Sequence, residues 1–335
     1  MAQIIGKESI KFEKKINIIG YGSVVGKKEG QGPYSKYFDY ISEDSLFGED
    51  SFEKAESKLQ KIAITNALKR ADLKPEDISN VCAGDLLNQC IGSSFGIRDY
   101  GIPFIGIYGA CSTMALSLII NSIIIESGAA KYSVSSASSH FCAAERQYRF
   151  PLEYGSQRTP TAQWTVTGAG AMVLTSNGNG PYIEKACIGK ICDLGVKDQN
   201  NMGAAMAPAA CSTILQFLSD TNTRPEDYDM IYTGDLGLVG SRLLYELCEN
   251  RGVRLLPYHK DFGSMIFDIV GQDVHAGGSG CGCSASMMSS YIMDEMKKGN
   301  QKNILYCATG ALLSPTSVLQ GETIPGICHL VNIRA

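Results

Sequence analysis

An internal repeat constrains the fold of this 335-residue chain more than any other feature of its sequence. The segment PEDISNVCAGDL, which starts at Pro75, returns as PEDYDMIYTGDL from Pro225, with Pro, Glu, Asp, Gly, Asp and Leu repeated in step. A second echo pairs Ala-Cys-Ser around Cys111 with Gly-Cys-Ser around Cys283, and an apolar stretch follows each. The two copies lie much further apart than the ~20–50 residues of solenoid repeats. The repeat therefore predicts two similar halves that pack together.

Each half alternates short β-branched runs with longer segments of helical periodicity, which indicates βα units. A mainly parallel sheet covered by helices on both faces is expected from this pattern, in the α/β class. The predicted strands are 16–19, 81–83, 104–108, 132–135 and 304–306, and the predicted helices are 52–71 and 115–127.

The turn-rich sequence SNGNGP marks the boundary between the halves, which we place at 1–181 and 182–335. Two segments, 140–168 and 253–280, fall outside the shared pattern and are predicted to be irregular excursions. Excursions of this length in a regular α/β fold are often functional.

Composition excludes several classes of protein. A hydrophobic fraction of 44% supports a large buried core, and a net charge of −4 without a basic block argues against nucleic acid as a partner. Lys and Glu interrupt the apolar runs near the start, so no signal peptide is expected, and the most apolar stretch, 115–125, is too short to span a bilayer. We expect a soluble or peripheral protein made in a cytosol, in which most of the 12 Cys are small buried residues.

The clearest local motif is GACST, in which Cys111 follows Gly-Ala between a predicted strand and a buried helix. Ser112 is placed to cap or begin that helix. Backbone N–H groups and the positive helix end would lower the pKa of the Cys111 thiol, which is how proteins activate a nucleophilic cysteine. The alternative is a small residue chosen for a crowded turn.

Three other polar residues follow or adjoin predicted strand ends. Asp235 comes after Gly234, Cys307 follows the strand 304–306, and His275 stands in a glycine-rich loop. Residues just past the carboxyl ends of strands converge on one crevice in a doubly wound sheet, so we expect these three to meet Cys111. For an isolated His, a surface or satisfied core position is the alternative.

These motifs resemble the thiolase superfamily, and the resemblance covers nearly the whole chain. It implies a duplicated α-β-α-β-α layered fold in which Cys111 is the nucleophile position and His275 and Cys307 fall on the two later motifs. Three departures accompany it: the His motif lacks its Pro, Asp235 replaces an Asn or His, and Thr309 interrupts a glycine run. A carboxylate opposes oxyanion stabilisation, so condensing chemistry is in doubt and a catalytically degenerate protein is implied.

Segments 38–60, 136–171 and 274–288 also resemble a family of sporulation proteins of spore-forming bacteria. That resemblance implies binding of dipicolinic acid, free or as its calcium chelate, without an established catalytic role. It further implies that the protein acts with the dipicolinate transport machinery. Membrane-embedded partner proteins would hold it at the outer face of the spore inner membrane. No resident cofactor is implied, and thiolase-like proteins often form homodimers.

Three functions remain open at this point. A binding protein would hold dipicolinate between the helix start at Cys111 and Ser112, with His275 as a donor, Asp235 suited to bound calcium and Cys307 close by. Arginines of the excursion are further candidates for a carboxylate partner: Arg146, Arg149 and Arg158. An acyltransferase or condensing enzyme would use Cys111 as nucleophile, His275 as base and Cys307 for a second proton transfer. The third function is a scaffold, whose pocket would be empty and whose surface would contact other subunits.

Overall fold

The structure is a computed structural model that describes residues 2–148 and 158–335. The strands are β1 (Gln3–Ile5), β2 (Ser9–Val25), β3 (Tyr40–Ile41), β4 (Asn80–Gly84), β5 (Phe104–Gly106), β6 (Ser133–Ser139), β7 (Trp164–Thr165), β8 (Gly168–Thr175), β9 (Tyr182–Cys187), β10 (Met230–Thr233), β11 (His259–Asp261), β12 (Gly278–Ser279), β13 (Asn303–Ala311) and β14 (Gly326–Arg334). The α-helices are α1 (Lys27–Gly30), α2 (Phe52–Arg70), α3 (Ile91–Ile97), α4 (Thr113–Ser127), α5 (Phe141–Tyr148), α6 (Met202–Thr221), α7 (Gly237–Glu249), α8 (Phe262–Met265), α9 (Cys281–Met287), α10 (Met293–Lys297) and α11 (Pro315–Leu319). A π-helical segment, Met288–Ile292, joins α9 to α10.

The same strand order occurs twice in the main sheet. One set runs β2-β8-β6-β4-β5, the other runs β9-β14-β13-β10-β11, and β2 pairs with β9 where the sets meet. The repeated Pro-Glu-Asp forms the same 3₁₀ turn in both: the Asp77 and Asp227 carboxylates each accept the backbone N–H three residues earlier, at 2.8 Å. The repeat thus marks equivalent positions in two sets of like topology.

Each set is mixed rather than mainly parallel, which corrects the sequence-based expectation. β4 pairs in parallel with β5 and β6, but β8 pairs antiparallel with both β6 and β2. β13 and β14 repeat this arrangement as an antiparallel pair. The reason is that β8 begins at the end of the sheet where β6 finishes, with Gly168 paired to Ser139, so it runs back along β6.

Apolar helices divide the molecule into layers. α4 contacts strands of both sets, and with α9 it forms the central layer of the core. α2 covers the first set from outside and α6 with α7 covers the second. The result is the predicted α-β-α-β-α layering. The positions of α2 and α4 match the sequence expectations within two residues, because Ser51 caps the start of α2 and Gly128, at φ +83°, ends α4.

Two segments, Ala110–Ser127 and Met202–Thr221, are long and apolar enough to cross a membrane if judged by length and composition alone. Within the fold, 72% and 61% of these segments are buried. Such burial is what core helices of a globular protein show as well, so the two segments are weak evidence for a membrane span.

The excursions are less irregular than expected. The first contains α5 and β7, and the second contains β11, α8 and β12, where β12 pairs with β7. The excursions therefore pack against each other. Within the first, Arg149 lies outside the described residues.

The buried carboxyl of Glu29 near the end of β2 gives a first prediction. Burial raises its pKa to about 7 from an ordinary 4.5, although Oε1 accepts the Thr167 N–H at 3.0 Å. The folded protein therefore holds this proton more tightly than the unfolded chain. Its contribution to stability is full below about pH 4.5 and is lost as the pH rises to about 7, a loss of about 3 kcal/mol.

Glu29→Gln is expected to remove this loss, so that its stability relative to wild type improves between pH 4.5 and 7.5. Urea unfolding at several pH values measures the difference. Glu43→Gln is the matched control, because Glu43 lies on the surface and pairs with Lys27. Parallel curves for wild type and Glu29→Gln would contradict the prediction.

Candidate functional site

A tight turn between β5 and α4 presents Cys111. Ala110 has φ +47°, and the Ser112 hydroxyl donates to Gly109 O while the Thr113 hydroxyl donates to Ala110 O, each at 2.6 Å. Ser112 thus occupies the N-cap position, as predicted, but its side chain fastens the turn and makes no capping bond to the helix. The turn is buried, with Cys111 5% exposed.

Asp235 lies beneath this turn at the end of β10 and gathers three donors. Oδ1 accepts the Thr309 hydroxyl at 2.8 Å, and Oδ2 accepts the Gly280 N–H at 2.9 Å and the Ser279 hydroxyl at 3.1 Å. Burial still raises its pKa, to about 6. The hydrogen bonds favour the ionised form, so a carboxylate stands at this position at neutral pH.

The Cys111 thiol lies beside Asp235 and interacts with its carboxylate. Burial and the negative charge of Asp235 raise the pKa of the thiol well above its ordinary value. This is opposite to the expected lowering by the helix start. Burial and this nearby carboxylate together outweigh the partial charge of the helix end, so Cys111 is a protonated thiol at neutral pH.

The structure does not bring His275 to Cys111. The His275 backbone has φ +52°, its Nδ1 lies 2.7 Å from Thr159 O, and its Nε2 lies 3.2 Å from the carboxylate of Asp273. None of these partners lines the cavity at Cys111. The side chain is partly exposed and is held by the loop around it.

Cys307 is also separated from Cys111. It lies within β13, fully buried on the α6 side of the sheet, and burial beside Cys187 and Cys328 raises the pKa of its thiol. The residues of this strand that reach the site lie further along it: Thr309 binds Asp235, the Cα of Gly310 packs against the Cys111 turn, and Ala311 lines the cavity at Cys111.

The arginine candidates have other partners. Arg146 pairs with Glu53, and Arg158 donates to the Asp273 carbonyl and carboxylate and lies over the Trp164 ring. Neither side chain lines the cavity at Cys111.

A narrow cavity opens above Cys111, with about 40 Å³ available to the centres of water molecules. We call it the inner cavity. Its walls are mainly apolar, with a few polar groups: Leu86, Tyr108, Ala110, Cys111, Ala144, Glu145, Tyr148, Thr165, Gln199, Met202, Ser279, Ala311 and Leu313. Sequence reasoning missed the α5 residues because the segment after β6 was taken as irregular. Tyr108 stands only three residues before Cys111, so its closeness to the GACST motif was a signal that could have identified it.

The layered duplicated fold and a cysteine at a strand-to-helix turn define a thiolase-like protein. Solved structures agree over nearly the whole chain. The 3-oxoacyl-[acyl-carrier-protein] synthase III of Aquifex aeolicus has a TM-score of 0.57 at 15% identity, covering 96% of this chain and 100% of that chain. OleA of Xanthomonas campestris has a TM-score of 0.63 at 11% identity, covering 97% and 98%. Human mitochondrial 3-ketoacyl-CoA thiolase has a TM-score of 0.60 at 12% identity, covering 97% and 99%.

Sequence similarity identifies the family within this fold. The family model of stage V sporulation protein AD matches residues 6–334. The stage V sporulation protein AD of Bacillus subtilis (strain 168) is 41% identical over 327 residues, which span 98% of this chain and 96% of that protein. The chain belongs to the stage V sporulation protein AD family, and with it to sporulation.

Proposed function

We propose that this protein binds dipicolinate as its calcium chelate and does not act as a condensing enzyme. The observation that carries this proposal is the position of the buried Cys111 thiol beside the carboxylate of Asp235. A nucleophile held as a thiol by an adjacent carboxylate is poorly suited to attack a thioester. The same carboxylate suits a site that receives a bound cation.

The charge around the inner cavity supports the chelate over the free dianion. Among the described residues that line the cavity there is no Lys, Arg or His, whereas Glu145 lines it and Asp235 lies behind Cys111. Repulsion by carboxylates at these two positions disfavours a free dianion. Calcium takes six to eight oxygen ligands, so a chelate that leaves positions open could accept the Glu145 carboxylate.

Family membership supports the wider setting of the proposal. In this setting, the protein acts as part of the SpoVA machinery, which moves dipicolinate into the developing spore and out of the spore at germination. It docks on the other SpoVA membrane proteins at the outer face of the spore inner membrane and forms a homodimer. Co-purification with these partners from spore membranes, and light scattering of the isolated protein, test the two parts separately.

Calorimetry tests the ligand directly. We expect heat of binding with equimolar calcium and dipicolinate, and at least fivefold weaker binding for dipicolinate with a chelator present, because repulsion by Glu145 and Asp235 returns. Glu145→Gln should weaken binding of the chelate, whereas Glu49→Gln, on the surface beside Lys58, should not. Benzene-1,3-dicarboxylate, which lacks the ring nitrogen, is the control ligand. Absence of heat with the chelate would overturn the proposal.

The shared fold with synthase III and thiolase keeps acyl transfer as the second candidate. It predicts a mass increment on Cys111 after incubation with an acyl-coenzyme A, abolished by Cys111→Ala. The protonated thiol leads us to expect no such increment. If one appears, the protein is an acyltransferase and the binding proposal fails.

A further inference from the structure

A second cavity, of about 350 Å³, lies on the surface next to the inner cavity. We call it the vestibule. Its walls come from the loops after β4 and β5, from α5 and from the chain after β13: Leu87, Asn88, Gln89, Cys90, Tyr108, Tyr148, Leu312, Leu313, Ser314 and Pro315. Tyr108, Tyr148 and Leu313 line both cavities. Among the described residues, these three side chains form the partition between the vestibule and the inner cavity.

A directed chain of hydrogen bonds closes the partition. The Tyr148 hydroxyl donates to Leu86 O at 2.5 Å, so its proton is committed and its oxygen is left as an acceptor. The Tyr108 hydroxyl lies 3.1 Å from that oxygen and is consequently the donor of this bond. Gln147 Nε2 also donates to Leu86 O, at 3.0 Å, which fastens the end of α5 to the same loop.

Among the described residues, the hydroxyl groups of the two rings form only neutral hydrogen bonds. Tyr108 is 45% exposed and follows the edge strand β5, so one side of this residue faces solvent. If Tyr148 swings, Leu86 O keeps the bond from Gln147 and is not left unpaired. Opening therefore breaks two neutral hydrogen bonds and part of the packing of Tyr148 against the core, and it breaks no ion pair among the described residues.

We propose that Tyr108 and Tyr148 form a gate that sets the size of the molecules that reach Cys111. With the gate closed, the inner cavity is too small for a flat aromatic ligand. With the gate open, the inner cavity and the vestibule become one continuous space. The role goes beyond the proposed function, because it holds for any molecule that must approach Cys111, whether a chelate or an acyl thioester.

Alkylation of Cys111 by reagents of two sizes tests the gate without dipicolinate. Rates with iodoacetamide and with a pyrenyl maleimide are measured at pH 9 by mass spectrometry of the Cys111 peptide. Tyr148→Phe removes both hydroxyl bonds and is expected to speed the iodoacetamide reaction about tenfold, with less effect on the bulky reagent. Tyr148→Ala removes the ring and is expected to speed both reactions.

Cys192 is the internal reference, since it is half-buried and lines neither cavity. Its alkylation rate should be the same in wild type and both variants. Tyr108→Phe, which removes only the outer bond, should give a smaller acceleration than Tyr148→Phe. Unchanged rates at Cys111 would overturn the gate, and so would a parallel rise at Cys192, which would indicate general loosening of the fold.

Discussion

Replacing Asp235 by asparagine is expected to raise the rate of Cys111 alkylation at pH 7.5 at least tenfold. The substitution keeps the size of the side chain and removes the negative charge that holds the thiol protonated. A unit charge ~4 Å away is worth about 4 kcal/mol near a protein surface, so even a fraction of that interaction shifts the thiolate population more than tenfold. Rates at Cys111 by mass spectrometry measure the effect.

The same experiment has a pH signature. Because the pKa of Asp235 is about 6, its charge in the wild-type protein disappears as the pH falls through that value. The ratio of the two alkylation rates should therefore fall towards one at about pH 5. Asp99→Asn, which removes an exposed carboxylate paired with Lys61, is the control and should leave the rate unchanged. Equal rates for wild type and Asp235→Asn at pH 7.5 would mean that Asp235 does not control the thiol.

The expectation that Cys111 meets Asp235 came from the position of each residue after a strand. The strands concerned, β5 and β10, belong to different sets and are not neighbours in the sheet, and the packing of both sets against α4 brings the two residues together. His275 shows where that reasoning ends. Its left-handed backbone and its contacts with Thr159 and Asp273 turn the ring away, and nothing in a glycine-rich motif indicates the direction of a side chain.

β13 shows a different limit. Sequence reasoning ended this strand at residue 306, whereas it continues to Ala311, so Cys307 lies in mid-strand. The strand is five residues longer than predicted, so Thr309 and Gly310, two and three residues beyond Cys307, reach the position expected of Cys307. The end of β13 depends on its pairing with β14. That pairing joins two separate segments, so the local sequence pattern does not indicate it.

The pKa of Cys111 was misjudged for a physical reason as well. The helix start was visible in the sequence, but its effect is a partial charge at the first turn. The carboxylate that opposes it comes from another half of the chain, and burial then acts on both groups. A local motif therefore indicates where a nucleophile could stand and does not indicate its protonation state.

Gly310→Ala is expected to lower the free energy of unfolding by about 2–3 kcal/mol and to displace the Cys111 turn. A Cβ at this position would stand 2.6 Å from Gly109 O, 3.1 Å from Ser112 N and 3.2 Å from Cys111 N. All three neighbours are backbone atoms of the turn, which the Ser112 hydroxyl also fastens. The turn cannot yield by rotating a side chain, so either β13 or the turn must move.

Gly106→Ala is the matched control. Gly106 is exposed on the edge strand β5, and an added Cβ there meets only the Phe104 ring, which can move aside. Its urea midpoint should stay close to that of wild type, while that of Gly310→Ala falls and its Cys111 alkylation rate changes. A Gly310→Ala protein as stable as Gly106→Ala would show that the turn tolerates displacement. Since the turn and Asp235 together hold Cys111, such tolerance would also weaken the case that a rigid geometry keeps its thiol protonated.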